Sequence, residues 1–296
     1  MDGIINVYKT KGMTSHDVVA KIRRIFNTKQ VGHTGTLDPN AEGVLVVCIN
    51  TATKLVQFLE ADTKKYRTEL IIGKSTDTYD ITGNVVSELN DFNIDYNQVK
   101  EVISSFIGKQ QQVPPIFSAI KVNGKKLYDY ALKNQEVNIE PRNIEIFDIE
   151  LIDKALNKKD NCYHISFDVT VSKGTYIRSL CHDIGTKLNI PCCMGNLLRL
   201  RSGAFKIEDA RKIEEIEQGN YILKGLVESI GEIPKIDLAN NPDLMYKVTN
   251  GMKLSLKTFD EKYNRIAFIN DNQLLAIYEE FHEEKYDYYR AVRVWK

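Results

Sequence analysis

Between residues 32 and 45 the chain reads GHTGTLDPNAEGVL, and no other stretch limits the possible folds as strongly. Gly32, Gly35 and Gly43 permit backbone conformations that other residues avoid, while Pro39 fixes its own φ and drives Asp38 out of the α region. The segment must therefore be a shaped loop that presents Asp38. An imidazole, two threonine hydroxyls and the Asp38 carboxylate make it a concentration of polar chemistry between apolar segments. An Asp-Pro step is also an ordinary turn initiator, so spacing alone leaves a purely structural reading open.

The flanks supply rigid support. Ile4 to Tyr8 alternates as a strand, and Val44 to Ile49 is a continuous apolar run suited to a buried one. Between them a helix is expected with Ser15 as N-cap, since Val18, Val19, Ile22, Ile25 and Phe26 recur at three- and four-residue spacing. Helices are also expected at Thr53 to Leu59, Ile94 to Gly108, Tyr176 to Leu188 and Ile207 to Glu217. Asn143 to Ile152 reads as a strand, and Ile165 to Ser172 as a half-exposed strand of an antiparallel sheet. Asn123-Gly124 favours a tight hairpin turn. Composition changes near Glu232 to Ile236. Beyond it, short strand-like pieces with turn signals at Asn250-Gly251 and Asp271-Asn272 suggest a small β-barrel or curled sheet. The expected division is 1–232 and 233–296.

The 296 residues suffice for a full core. Formal net charge is +0, which argues against a generic polyanion binder. The distribution qualifies this: Lys9 to Lys29 holds Lys9, Lys11, Lys21, Arg23, Arg24 and Lys29 against Asp17, whereas Glu279 to Asp287 is acidic. Five cysteines with no CxxC pair indicate neither a disulfide framework nor a zinc site, and are expected to be reduced packing residues. No segment reads as a signal peptide or a membrane span, so a cytoplasmic location and no membrane contact are expected.

The loop GHTGTLDPNAEGVL resembles the catalytic loop of the TruB-type pseudouridine synthases. Further blocks resemble that family in the same order: Gly12-Met13-Thr14-Ser15 preceded by Thr10 where proline is usual, KKYRTELIIGKSTDTYD, QQVPPIFSAIKVNGKKLYDYAL, SKGTYIRSL and NLLRLRSGAF. The resemblance covers roughly Gly3 to Phe205 and is that of the bacterial type. It implies an α+β fold, with a mixed, mainly antiparallel sheet, a central cleft and a small C-terminal PUA-like β domain. It implies conversion of the uridine at position 55, in the T loop of tRNA, to pseudouridine. The roles it implies are Asp38 as nucleophile, Tyr66 stacked on the target base, Arg178 paired with Asp38, Tyr176 lining the pocket and Leu197 contacting the base through its backbone. His33 would occupy or contact the loop opened when the base is flipped.

That isomerisation gains and loses no atom, so neither a redox cofactor nor a metal is expected; no dinucleotide fingerprint or P-loop occurs in the sequence. Lys121, Lys125, Lys126, Tyr128 and Tyr130 mix the two contact types RNA offers, and Arg199 and Arg201 are candidate phosphate contacts. The expected partner is the T arm of tRNA, bound by a monomer without an obligate protein partner. A tRNA-binding chaperone that refolds the T arm is the main alternative. It would need the basic surfaces but not Asp38.

Overall fold

The computed structural model describes residues 1–59, 63–133, 135–283 and 286–295; Glu284 and Lys285 of the acidic run lie outside them. Strand β1 (Gly3–Lys9) leads into helix α1 (Ser15–Ile25), followed by β2 (Val31–His33) and β3 (Glu42–Ile49). Then come β4 (Lys64–Ile72), the hairpin β5 (Lys74–Thr76) and β6 (Val85–Glu88), α2 (Tyr96–Ser104), β7 (Gly108–Gln112) and β8 (Arg142–Leu151). Strand β9 (Cys162–Val171), α3 (Ile177–Leu188), β10 (Cys192–Ser202) and β11 (Leu223–Lys224) follow.

The main sheet runs β11-β1-β3-β10-β4-β9-β8-β7. Its pairings are antiparallel except β3 with β10, where Glu42 and Gly43 oppose Leu198 and Arg199. That junction fixes the end of the glycine loop: Gly43 has φ +101, and a Cβ there would strike the Arg199 backbone. Gly35 also has positive φ, whereas Gly32 sits in β2 with an ordinary backbone. One core packs α3 and α2 against β4, β8, β9 and β10, and draws in Leu37, Ala41, Tyr66 and Leu197 from around the cleft.

The remaining chain forms β12 (Lys235–Asp237), α4 (Pro242–Thr249), β13 (Leu254–Ser255), β14 (Arg265–Asn270), β15 (Gln273–His282) and β16 (Asp287–Val294). The strands make a sheet in the order β12-β14-β15-β16-β13. The sheet joins a core with the first part of the chain, since Ala267, Leu274, Ile277 and Trp295 cluster with Ile4, Val44 and Val46. The Trp295 indole N–H donates to the Thr51 carbonyl at 3.2 Å.

Several expectations change. Thr14, not Ser15, caps α1: Thr14 Oγ1 accepts from the Asp17 amide at 3.0 Å, and Asp17 accepts from the Thr14 amide at 2.8 Å. Ser15 is released for another task. Its hydroxyl accepts from the Leu37 amide at 2.9 Å, which ties the glycine loop to α1. Ile207 to Glu217 is two short helical turns, Ile207–Asp209 and Ile213–Glu217. The break arises because Arg211 pairs with β1, donating to Asn6 O at 3.0 Å and accepting from the Tyr8 amide at 2.8 Å. Strand β9 pairs antiparallel with β4 and β8 and keeps the expected alternation, with Ile165, Phe167, Val169 and Val171 buried and Ser166, Thr170 and Ser172 half-buried; only Asp168 departs from it. Asp168 on β9 is 5% exposed and is neutralised by Arg67 at 2.8 Å and Lys65 at 3.4 Å. All five cysteines are buried and none forms a disulfide among the described residues, and no helix among the described residues is long and apolar enough to cross a membrane.

Candidate active site

A cleft of about 880 Å³ opens across the main sheet. Its lining brings together Asp38, Tyr66, Tyr176, Arg178 and Leu197, residues drawn from the glycine loop, β4, the start of α3 and β10. His33 lies on β2, half-buried and outside that lining. Burial and the nearby Arg199 guanidinium push its pKa down.

Asp38 and Arg178 stand 140 residues apart in sequence and meet side-on: Arg178 Nε is 2.9 Å from Oδ2, and Nη2 donates to Oδ1 at 3.3 Å. A planar guanidinium matches a carboxylate in this paired geometry, which adds direction to charge. The Arg178 side chain is 6% exposed, while that of Asp38 is 39% exposed. The cation is thus a fixed wall and the carboxylate is open to a ligand in the cleft.

Three further groups hold the arginine. Its Nη1 donates to the Thr78 carbonyl at 3.2 Å and its Nη2 to the Phe117 carbonyl at 3.0 Å. The Asp80 carboxylate faces Nε at 4.0 Å. The other Asp80 oxygen accepts from the Thr78 hydroxyl at 3.0 Å, the Thr82 amide at 2.9 Å and the Thr82 hydroxyl at 2.5 Å. One cation therefore faces two carboxylates, and Asp80 is tied to its own loop while Asp38 is left accessible.

Tyr66 forms part of the cleft floor and belongs to the main core, at 7% exposure. Tyr176 caps the start of α3. Its amide donates to Gln112 Oε1 at 2.8 Å and its carbonyl accepts from Gln112 Nε2 at 3.1 Å, so one glutamine fixes the turn. Burial raises the Tyr176 pKa. Leu197 sits where the β10–β4 register shifts, beside the bond from Thr68 Oγ1 to Asn196 O at 3.2 Å.

Three cations are engaged differently from what charge counting suggests. Arg199 is 1% exposed and spends its guanidinium on Val44 O at 2.6 Å and Gly35 O at 3.1 Å, so it is a strut under the loop and not a phosphate contact. Arg201 is half-buried and donates to the nearby Gly203 O at 3.2 Å. Lys9 is fully buried, not part of a basic face. Its ammonium donates to the carbonyls of Ala41 at 2.6 Å, Pro39 at 3.1 Å and Thr10 at 3.2 Å, which brackets Asp38 from behind. Burial lowers its pKa to about 8 against the opposing pull of Asp38 and Glu42. Lys9→Met would leave those carbonyls without their donor. It is expected to cost about 1–3 kcal/mol of stability and to slow catalysis at saturating RNA; a denaturant melt and a single-turnover rate check both.

The exposed Lys126, Arg142 and Lys173 stand on the rim of the cleft. The hairpin carrying Lys126 turns at Asn123 and Gly124, both with positive φ.

Solved structures resemble the chain over nearly its whole length. One titled "Crystal Structure of a Cbf5-Nop10-Gar1 Complex" matches with TM-score 0.71 and 26% identity, covering 99% of this chain and 84% of that one. Another, "Structure of H/ACA RNP bound to a substrate RNA containing 2'-deoxyuridine", matches with TM-score 0.69 and 24% identity over the same shares. With the Asp38–Arg178 pair set across the middle of the sheet, the fold is that of the pseudouridine synthases. Residues 23–177 match the TruB family pseudouridylate synthase (N terminal domain). A tRNA pseudouridine synthase B of Oceanobacillus iheyensis is 41% identical over 100% of this chain and 98% of its own length. One of Caldanaerobacter subterraneus is 45% identical over 94% of this chain and 92% of its own. The chain belongs to the TruB family of pseudouridylate synthases.

Proposed function

We propose that this enzyme converts the uridine at position 55 of tRNA, in the T loop, to pseudouridine, with Asp38 as the nucleophile. The observation that carries the proposal is the accessible Asp38 carboxylate held side-on by the buried Arg178 guanidinium. Relatives named tRNA pseudouridine synthase B, matched over nearly their full length, supply the substrate class.

The reaction breaks the bond from uracil nitrogen 1 to the ribose and joins carbon 5 to the same sugar carbon. The carbon 5 proton is lost, and nitrogen 1 regains one. Asp38 attacks either carbon 6 of the base or the ribose carbon while the glycosidic bond opens. Arg178 sets a fixed positive charge against the carboxylate in a cleft that excludes water when the base enters. A uridine stacked in a loop is out of reach, so it is flipped inward at a cost of about a few kcal/mol. Tyr66 replaces the lost stacking, and its hydroxyl helps remove the proton left on carbon 5. Tyr176 closes the pocket wall and Leu197 contacts the base through its backbone. The cleft volume falls in the range that suits a single bound nucleotide.

Lys126, Arg142 and Lys173 contact phosphates at the rim, and His33 contacts the loop emptied by flipping, outside the cleft. The C-terminal sheet from residue 233 onward acts as a PUA-like RNA-binding domain beside a catalytic domain of residues 1–232. The enzyme acts in the cytoplasm as a monomer, with no cofactor, metal or obligate protein partner. A chaperone needs no buried arginine aimed at an open carboxylate, and nothing in the cleft favours that reading over catalysis.

The test is release of tritium from carbon 5 of uracil in unmodified T-arm RNA. The expected result is stoichiometric release with pseudouridine at one position only. RNA binding with no release and no pseudouridine would overturn the proposal.

A further inference from the structure

Tyr79 lies between the two residues of the 76–82 loop that face Arg178: Thr78 offers its carbonyl at 3.2 Å, and Asp80 its carboxylate at 4.0 Å. It holds φ +63, a left-handed conformation that bulky residues adopt only where the surroundings over-determine it. On one side the loop is pinned to β10, since the Met194 amide donates to Tyr79 O at 2.9 Å and the Ile81 amide donates to Met194 O at 2.8 Å. On the other side the Tyr79 ring lies flat on the His182 imidazole, with centroids 4.0 Å apart and planes 9° apart. Arg178 and His182 are four residues apart on α3, so successive turns of one helix face present both to this loop. Burial pushes the His182 pKa down, so the stack joins two neutral rings. Neither ring lines the cleft.

We infer that the Tyr79–His182 stack is a positioning clamp for the pseudouridine-forming site. It fastens the 76–82 loop to α3, so that Thr78 and Asp80 stay on the Arg178 guanidinium while that guanidinium is paired with Asp38. Tyr79 and His182 are positioning residues that touch no reacting atom. The inference rests on the proposed function for its catalytic consequence and on geometry alone for its mechanical one.

The experiment compares the full chain with His182→Ala, His182→Phe and Tyr79→Leu. It reads the single-turnover rate on unmodified T-arm RNA at saturating enzyme, the RNA Kd, and amide exchange at Ile81 and Met194. An aromatic stack of this kind corresponds to an effect of about three- to tenfold. His182→Ala and Tyr79→Leu are each expected to slow the rate by about that factor. They should leave Kd within about twofold and speed both amides' exchange, while His182→Phe restores rate and exchange to near the parent's. A parental rate and parental exchange in His182→Ala, or a His182→Phe as impaired as the alanine, would overturn the clamp and leave the proposed function standing. If the parent forms no pseudouridine, the proposed function fails, and exchange decides the clamp alone: faster in the alanine and leucine variants supports it, unchanged overturns it. Should one variant not fold, the other removes the same stack from the opposite side.

Discussion

Asp38→Asn is expected to reduce the single-turnover rate by on the order of 10⁴-fold or more while RNA binding stays within a few-fold of the parent. Asparagine keeps the shape and one acceptor oxygen, so the Phe117 and Thr78 carbonyls still hold Arg178 and the cleft keeps its lining. What disappears is the anion that can form a bond to carbon. The fold is expected to tolerate the change, because the Asp38 side chain is 39% exposed and its partner retains the Asp80 carboxylate at 4.0 Å. A loss of about 1–2 kcal/mol, below the figure for a fully buried pair, is anticipated in a denaturant melt. The decisive measurement is tritium release under single turnover, with binding measured on the same preparation. An Asp38→Asn variant within about a hundredfold of the parent would remove Asp38 from the nucleophile's role.

What was legible in the sequence follows from the kind of interaction involved. The glycine loop and the strand behind it were readable because backbone restriction by proline and glycine and a run of apolar residues are local properties. The joining of residues 38 and 178 is not local, and only the ordered resemblance to a family pointed to it. The roles of Lys9, Thr78, Phe117 and Asp80 are not legible in sequence for a different reason. Two of them act on Arg178 through backbone carbonyls, and a carbonyl carries no sequence signature. Lys9 was counted with the basic face because a lysine that donates to three buried carbonyls looks the same in sequence as one in water. Arg199 reads in sequence as a candidate phosphate contact for the same reason, but Gly43 leaves room for the β3–β10 junction to draw it in. The helix expected at Ile207 to Glu217 had the right spacing, yet tertiary pairing of Arg211 with β1 prevailed over local propensity. In contrast, α4 has a start that is local, Asn241 as cap followed by Pro242.

The arginine allows charge to be separated from geometry. Arg178→Lys keeps a cation near Asp38 but replaces a planar fork by a point charge on a shorter reach. The present guanidinium serves Asp38 through two nitrogens and the Thr78 and Phe117 carbonyls through its remaining N–H groups. One ammonium cannot occupy all these positions from the same stem, so at least one buried carbonyl loses its donor. The carboxylate is then free to rotate out of line with the base. Arg178→Lys is expected to slow the single-turnover rate by about 10²-fold, and Arg178→Met, which removes the paired guanidinium from Asp38 and Asp80, by about 10³-fold or more. Both should lose stability, the methionine variant by about 3 kcal/mol and the lysine variant by less. RNA affinity should change little, since this side chain is 6% exposed and the proposed phosphate contacts lie at the rim. If a nearby positive charge alone sufficed, the lysine variant would run within about threefold of the parent, and a rate that close would transfer the role of the fork to simple electrostatics. If geometry governs, lysine and methionine lie closer to each other than either does to the parent, and the loss appears in the rate with the Kd preserved.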